Sequence, residues 1–261
     1  REFGRIIPAA DHRHRMERML YIDRVRSAER VASFAGGEAL TKAWAAATRG
    51  ERNAIALLDA VPQAQRSAGW HFAKARYLRR TAEKYRDAAQ VMLQAPNDQS
   101  LLIDPEAWWF ERRVLSREML DLGDAQSAYR IVAGHRGGTP ATQVDAAFHG
   151  GWFALRALND ARNAHTHFAR IVEIAEGPIS LSRGNYWLGR AAEAGGPGNA
   201  RQYYERAAVH GTAFYGQLAA AKLGRNTVPA DFPSASDADR RNFQNRQAVQ
   251  AIRRLEEAGH Q

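Results

Sequence analysis

Two pairs of histidines, each separated by a single residue, are the first candidates for chemistry in this chain. His12 pairs with His14, and His165 pairs with His167. Neutral imidazole nitrogens are common metal ligands. The hydrophobic spacing around both pairs predicts helices, however, and helical residues two positions apart point about 200° away from each other. Neither pair is well placed to hold one metal ion, and we interpret all four as surface or helix-end histidines.

Four carboxylates are candidates for general acid–base catalysis. Glu111 and Glu118 fall on predicted helix surfaces, and Asp121 and Asp124 flank a predicted turn. A general acid that works near neutral pH needs a carboxyl group in an apolar cleft, where its pKa is raised. The sequence places no such cleft, so we assign no catalytic residue.

The remaining signatures of enzyme sites are missing from the sequence. The chain has no GxGxxG, Walker, GxSxG, HExxH or EF-hand pattern. It also has no cysteine, which excludes disulfides and thiolate metal sites but does not identify the cellular compartment. We therefore predict no cofactor and no metal.

Six tryptophans offer flat rings that can stack on sugars: Trp44, Trp70, Trp108, Trp109, Trp152 and Trp187. Trp108 and Trp109 are neighbours in a predicted helix, where adjacent side chains diverge by about 100°. We expect one of these two rings to face the core and the other to face outward.

The charge of the chain favours acidic partners without naming one. Thirty-seven basic residues against 28 acidic ones give a formal net charge of +9. Nucleic acid, anionic lipid and acidic cell-wall polymer are all compatible with that balance. The densest basic clusters are only pairs, Arg112 with Arg113 and Arg253 with Arg254. Such a dispersed pattern is typical of solvated helix faces, so we predict no nucleic-acid partner. No apolar run is long enough to predict a membrane span.

The elements that position these residues are predicted to be helices. Strand signals are nearly absent, and apolar residues recur at spacings of three and four, as at Met16, Met19 and Leu20. Asp104 and Pro105 form a typical helix start. The prolines fall between the periodic segments, at Pro62, Pro96, Pro105, Pro140, Pro178 and Pro197. Helices of about 12 to 20 residues punctuated in this way predict helix hairpins.

The sequence also predicts a turn between two of these helices and a degenerate repeat along the chain. Leu122, Gly123 and Asp124 predict a helix end, a turn and the next N-cap. Trp152 and Trp187 lie 35 residues apart and open matching segments, so we predict that both pack in the core. Small and large residues of the second helix recur at 36 residues: Ala128 and Val132, Ala164 and Phe168, Ala200 and Tyr204. The period predicts an all-α superhelical solenoid of tetratricopeptide-like pairs, with an irregular α bundle as the alternative.

The domain organisation follows from a change in composition. We expect residues 1–224 to form the superhelical repeat domain. Residues 225–236 carry two prolines and small polar residues, as linkers do. Phe243, Ala248, Val249, Ile252 and Leu255 then predict one amphipathic helix, so residues 225–261 are expected to be a linker and the first helix of a second, truncated helical domain. Because the first residue is Arg1, we also expect an internal piece of a longer protein.

Four segments, in order, resemble a known family. They are residues 108–113 (WWFERR) followed by 118–124 (EMLDLGD); 148–156 (FHGGWFALR); 179–183 (ISLSR) with 186–194 (YWLGRAAEA); and 212–220 (TAFYGQLAA). Together they resemble the N-terminal superhelical region of soluble lytic murein transglycosylases. The likeness extends from about residue 8 to the end of the chain.

The resemblance implies a periplasmic protein that acts on peptidoglycan. Enzymes of this family cleave the β-1,4 bond between N-acetylmuramic acid and N-acetylglucosamine and leave a 1,6-anhydro end. One Glu, typically followed by Ser, serves as acid and then base in a C-terminal domain. This chain has no Glu-Ser dipeptide. The resemblance therefore implies a non-catalytic scaffold whose partners are glycan strands, its own catalytic domain and other cell-wall proteins.

Two other functions remain open at this point. A self-standing tetratricopeptide-like adaptor, binding proteins in a concave face, agrees equally with the repeats and the missing catalytic motif. A basic solenoid that binds nucleic acid rests on charge alone. Its arginines form no stripe at the repeat spacing, which argues against that function.

Overall fold

The computed structural model describes residues 6–96, 98–225 and 234–259, and this part of the chain is helical with no strand. It falls into two compact units that divide between residues 226 and 227. The α-helices of the first unit are α1 (Ala9–Tyr21), α2 (Val25–Glu29), α3 (Ala32–Ala35), α4 (Glu38–Thr48), α5 (Ala54–Asp59), α6 (Ala68–Arg80), α7 (Tyr85–Leu93), α8 (Pro105–Asp121), α9 (Ala125–Ala133), α10 (Pro140–Arg156), α11 (Ala161–Ile174), α12 (Pro178–Glu193), α13 (Ala200–Ala208) and α14 (Phe214–Lys222). Short 3-10 turns lie at Gln63–Gln65 and Gln99–Leu101. Within the described ranges no helix is both long enough and apolar enough to cross a bilayer.

The predicted helix boundaries around α8 are confirmed. The Asp104 carboxylate accepts a hydrogen bond from the Ala107 backbone N–H, and Pro105 is the first residue of the helix. Gly123, with a φ of +79°, makes the turn after α8. Asp124 then caps α9 by accepting from the Ser127 N–H. The predicted lengths were too long for α7, α9 and α13, which have nine residues each, whereas α11 has 14 and agrees with the prediction.

Successive helices pack as neighbours along the first unit: α8 with α9, α10 with α11, and α12 with α13, followed by α14. The first helices of neighbouring pairs also touch, since α8 contacts α10 and α10 contacts α12. Two glycines allow the close approach. A methyl group on Gly151 would lie 2.4 Å from the Phe168 ring, and one on Gly189 would lie 2.5 Å from the Tyr204 ring.

These glycines correct the predicted alignment of the repeats. Gly151 and Gly189 are equivalent positions, because each lies against a large aromatic ring of the following helix. They are 38 residues apart, whereas the predicted alignment used the 35-residue spacing of Trp152 and Trp187. Trp152 and Trp187 are therefore not equivalent. Both rings are half-buried and pack against the edges of the apolar clusters. The prediction of core packing holds in part: each ring packs against an apolar cluster, but neither is fully buried, because the two rings take different positions relative to the glycines of α10 and α12.

The largest apolar cluster joins α1 through α10, with Trp44, Trp108 and Leu115 almost fully buried. Trp108 and Trp109 are exposed by only 0% and 4%, so the prediction that one of them faces outward was wrong. The reason lies in the neighbours of α8. This helix packs against α6, α7, α9 and α10, so directions 100° apart on its surface are both covered.

The second unit contains α15 (Asp237–Gln244) and α16 (Gln247–Glu257), where the sequence predicted one helix. Ser236 is the N-cap of α15 and forms a capping box with Asp239. The Ser236 hydroxyl accepts from the Asp239 N–H, and the Asp239 carboxylate accepts from the Ser236 N–H. Phe243 lies on α15, whereas Val249, Ile252 and Leu255 lie on α16. Most of the predicted linker, residues 226–233, lies outside the described residues.

Candidate ligand-binding groove

The two histidines of the second pair connect α11 to two different neighbouring helices. On α11, the His167 ring is buried and hydrogen-bonds the Tyr129 hydroxyl of α9 at 3.2 Å. His165 bonds the Tyr203 hydroxyl of α13 at 3.0 Å. Residues two apart point in nearly opposite directions, so each ring reaches a different neighbouring helix. Within the described ranges, no group of three or more His, Asp or Glu residues could hold a metal ion.

His167 was wrongly predicted to lie at the surface or at a helix end, because it is 6% exposed in the middle of α11. His12 lies in the first turn of α1, as a helix-end residue does, but it is only 4% exposed. Burial, followed by the charges of Arg136 and Arg170, lowers the pKa of His167 to about 4. Its ring is therefore neutral at physiological pH. His14, by contrast, is exposed, as predicted.

The Glu111 carboxylate was wrongly predicted to lie on a helix surface. It is 3% exposed and accepts two hydrogen bonds from the Arg79 guanidinium of α6, at 2.7 and 3.0 Å. Arg76 lies 3.7 Å away. The sequence could not reveal this ion pair, because its partners are 32 residues apart and only the packing of α6 against α8 brings them together. Glu111 is a structural anion that fixes two helices.

Glu17 is the described carboxyl whose pKa burial raises, which is the property expected of a general acid. Gly69 leaves room for its Oε2 atom, and the Trp44 ring lies in the same place. The residue is only 2% exposed. A substrate therefore has no route to its oxygens in this structure, and Glu17 is a buried carboxyl of the core.

A groove between α8 and α10 combines an exposed ring with charged groups. It has a volume of 350 Å³. On the α8 side of the groove, Phe110 is 52% exposed and lines the groove together with Arg113. Asp145 on α10 accepts from the Trp109 indole N–H at 2.9 Å and from Arg113 at 3.2 Å. Buried Trp109 thus holds the carboxylate in place, and Phe110 remains available to a ligand.

A second carboxylate in this α8–α10 groove, Glu106, stays ionised. It accepts hydrogen bonds from the Thr142 hydroxyl and from the Thr139 backbone N–H, the latter at 2.7 Å. The Thr142 hydrogen bond is the main cause of a lowered pKa for Glu106. Glu106 and Asp145 can therefore accept hydrogen bonds from ligand hydroxyls or amides, whereas Glu106 cannot act as an acid at neutral pH.

Trp187 is a packing residue, although its ring is half-buried. It lies against Phe168 and Phe148, with ring centroids at 5.7 and 6.1 Å, and the Arg190 guanidinium lies over it at 5.9 Å. Its faces are thus occupied by the protein. Phe110, which the sequence did not single out, is the better stacking surface, because it is the exposed aromatic ring in the α8–α10 groove.

No family model, no curated protein and no solved structure matches this chain. The chemistry of the α8–α10 groove therefore has to come from its own residues. The sequence did not single out Asp145 either, since it lies 36 residues from Trp109 and only the packing of α10 on α8 joins them.

Proposed function

We propose that this chain is the non-catalytic superhelical scaffold of a periplasmic lytic transglycosylase, and that its α8–α10 groove contacts glycan strands. The observation that carries the proposal is the location of the four family-like segments. They fall on α8, α10, α12 and α14, with one extending into the turn before α9. These helices contact one another in that order. The resemblance is thus concentrated on one continuous series of neighbouring helices.

The consecutive packing of helix pairs also supports a solenoid. Neighbouring pairs pack on one another through α9 against α10 and through α11 against α12, and the first helices α8, α10 and α12 also touch in turn. A repeat array of this kind presents the same side of each first helix to ligands. The α8–α10 groove lies between two such first helices.

The residues of the groove suit an amphipathic sugar. The exposed face of Phe110 offers an apolar surface for the C–H face of a pyranose ring. The side-chain oxygens of Glu106 and Asp145 accept hydrogen bonds from sugar hydroxyls and N-acetyl N–H groups, and Arg113 donates. This combination of one flat ring with a few polar groups at its edge is typical of ligand sites that recognise shape and orientation together.

The proposal assigns bond cleavage to a separate catalytic domain. The lytic reaction needs a carboxyl that gives a proton and takes it back. Here Glu106 has a lowered pKa, Glu111 is held by Arg79, and Glu17 is closed off from solvent. We expect the pure chain to bind sacculi without releasing anhydromuropeptides. Detection of such products by chromatography would contradict the scaffold assignment.

Co-sedimentation with purified peptidoglycan sacculi tests the role of the α8–α10 groove. We expect Phe110→Ala to weaken binding about fivefold or more, because an aromatic anchor at the centre of an interface contributes more than about 1 kcal/mol. Phe214→Ala is the matched control, since Phe214 is 66% exposed on α14 and should leave binding unchanged.

The adaptor function is the alternative outcome of the same experiment. If the wild-type chain does not sediment with sacculi but selectively captures a protein, the solenoid serves protein binding. Equal losses of sacculus binding in Phe110→Ala and Phe214→Ala would show that the α8–α10 groove is not the glycan contact.

A further inference from the structure

A cleft where the C-terminal ends of α4 and α6 meet is lined by three arginines and by no carboxylate. Arg49, Arg76 and Arg80 lie in its walls, together with the rings of Trp44 and Tyr77. Its volume is 220 Å³. Four other clefts of the described chain each include at least one carboxylate, as the α8–α10 groove does. The composition of this arginine cleft therefore favours an anion.

The three guanidinium groups are held to different degrees. Arg76 is fixed by two hydrogen bonds to Asp23, at 3.0 and 3.1 Å. Arg49 lies 3.6 Å from each of Glu29 and Glu51 at a solvent-exposed position, which is a loose pairing. Arg80 is exposed and has no hydrogen bond or ion pair with any described residue. One cation is thus pre-positioned, and two can adjust to a ligand.

These arginine side chains are not needed to bind three of the carbonyl groups at the ends of α4 and α6. Such side chains often bind the last carbonyl groups of a helix. At the end of α4, however, the Ala45 and Ala46 carbonyls already accept the backbone N–H groups of Arg49 and Glu51. At the end of α6, the Tyr77 carbonyl accepts the Thr81 N–H. These three carbonyl groups are therefore satisfied without the arginine side chains.

We infer that the arginine cleft binds an oxyanion, either a phosphate or a carboxylate group of a ligand. A guanidinium presents two parallel N–H donors that match the oxygens of both groups. The rings of Trp44 and Tyr77 form the apolar part of the cleft wall. The site is separate from the α8–α10 groove, and it does not depend on glycan binding.

Isothermal titration calorimetry on the 261-residue chain tests this inference, with inorganic phosphate in one arm and succinate in the other. We expect Arg80→Gln to weaken binding of the preferred anion about tenfold, the effect of losing one charge-assisted hydrogen bond. Arg156→Gln is the matched control. Arg156 is also the exposed last residue of a long helix, α10, but it does not line the cleft. Circular dichroism checks that both variants fold.

The two arms identify the source of the oxyanion. Tighter binding of phosphate would support a phosphorylated ligand, and tighter binding of succinate would support a carboxylate ligand. The inference is overturned if neither anion binds at millimolar concentration. It is also overturned if Arg80→Gln and Arg156→Gln change the affinity equally, since binding would then reflect only the general positive charge of the chain.

Discussion

Single residues decide how the first helices of the pairs are held together. Glu111 shows this most clearly, because a buried carboxylate on α8 neutralises Arg79 on α6. Removing one partner of a buried pair leaves the other charge uncompensated in a medium that solvates it poorly. The cost of such a loss is much larger than the net contribution of the intact pair.

We therefore expect Glu111→Gln to lower the free energy of unfolding by about 3 kcal/mol, although the side chain keeps its size. Glu205→Gln is the control, because Glu205 pairs with Arg201 at an exposed position of α13 and should cost less than about 0.5 kcal/mol. Urea unfolding at neutral pH measures both. Equal urea midpoints for the two variants would mean that Arg79 hydrogen-bonds water or another residue once the charge at position 111 is removed.

At the scale of elements, the distance between paired helices is set by glycines at their crossing points. A Gly151→Ala variant gains helix propensity, yet its new methyl group would lie 2.4 Å from the Phe168 ring. We expect a net loss of about 1 to 3 kcal/mol in the free energy of unfolding, as for other overpacked cores.

A double-mutant cycle with Phe168→Leu separates this clash from other effects of the substitution. The smaller side chain leaves room beside residue 151, so Gly151→Ala should cost less in the Phe168→Leu background than in the wild type. Chemical denaturation of the four proteins gives the coupling energy. A cost that is the same in both backgrounds would contradict the assigned contact.

The elements also show how far sequence reasoning reaches. Local signals predicted the boundaries around α8 correctly, because capping by Asp104 and the turn at Gly123 depend only on nearby residues. The break between α15 and α16 was missed, since no Pro or Gly marks it. The α8–α10 groove was missed because Trp109 and Asp145 meet only after two helices pack. Pairings across helices require geometry that spacing alone does not provide.

At the scale of the whole molecule, histidines join successive helices in their neutral form. His149 on α10 lies 3.1 Å from the Arg117 guanidinium, and His135 lies 3.3 Å from that of Arg112. A guanidinium only donates, so each ring must accept through an unprotonated nitrogen. His167 adds the bond between α9 and α11. Protonation of these rings opposes the packing of several pairs at once.

The stability of the chain should consequently fall as the pH drops from about 6.5 towards about 4. Burial is the main cause that lowers the pKa of both His135 and His167 to about 4. Between that value and the unfolded pKa near 6.5, the unfolded state binds more protons, so acid favours unfolding by roughly 3 kcal/mol per ring. Glu17 acts in the opposite direction, because its raised pKa lets the folded state retain a proton.

Urea unfolding at a series of pH values measures this slope, and His167→Gln tests its origin. Glutamine can still accept a hydrogen bond from Tyr129, but it cannot be protonated in this range. Between pH 6.5 and pH 4, we expect the free energy of unfolding of the variant to depend less steeply on pH than that of the wild type. The difference should correspond to about one proton. A variant with the wild-type slope would show that His167 takes up its proton equally in the folded and unfolded states. The acid sensitivity would then have to come from His135, His149 and the carboxylates.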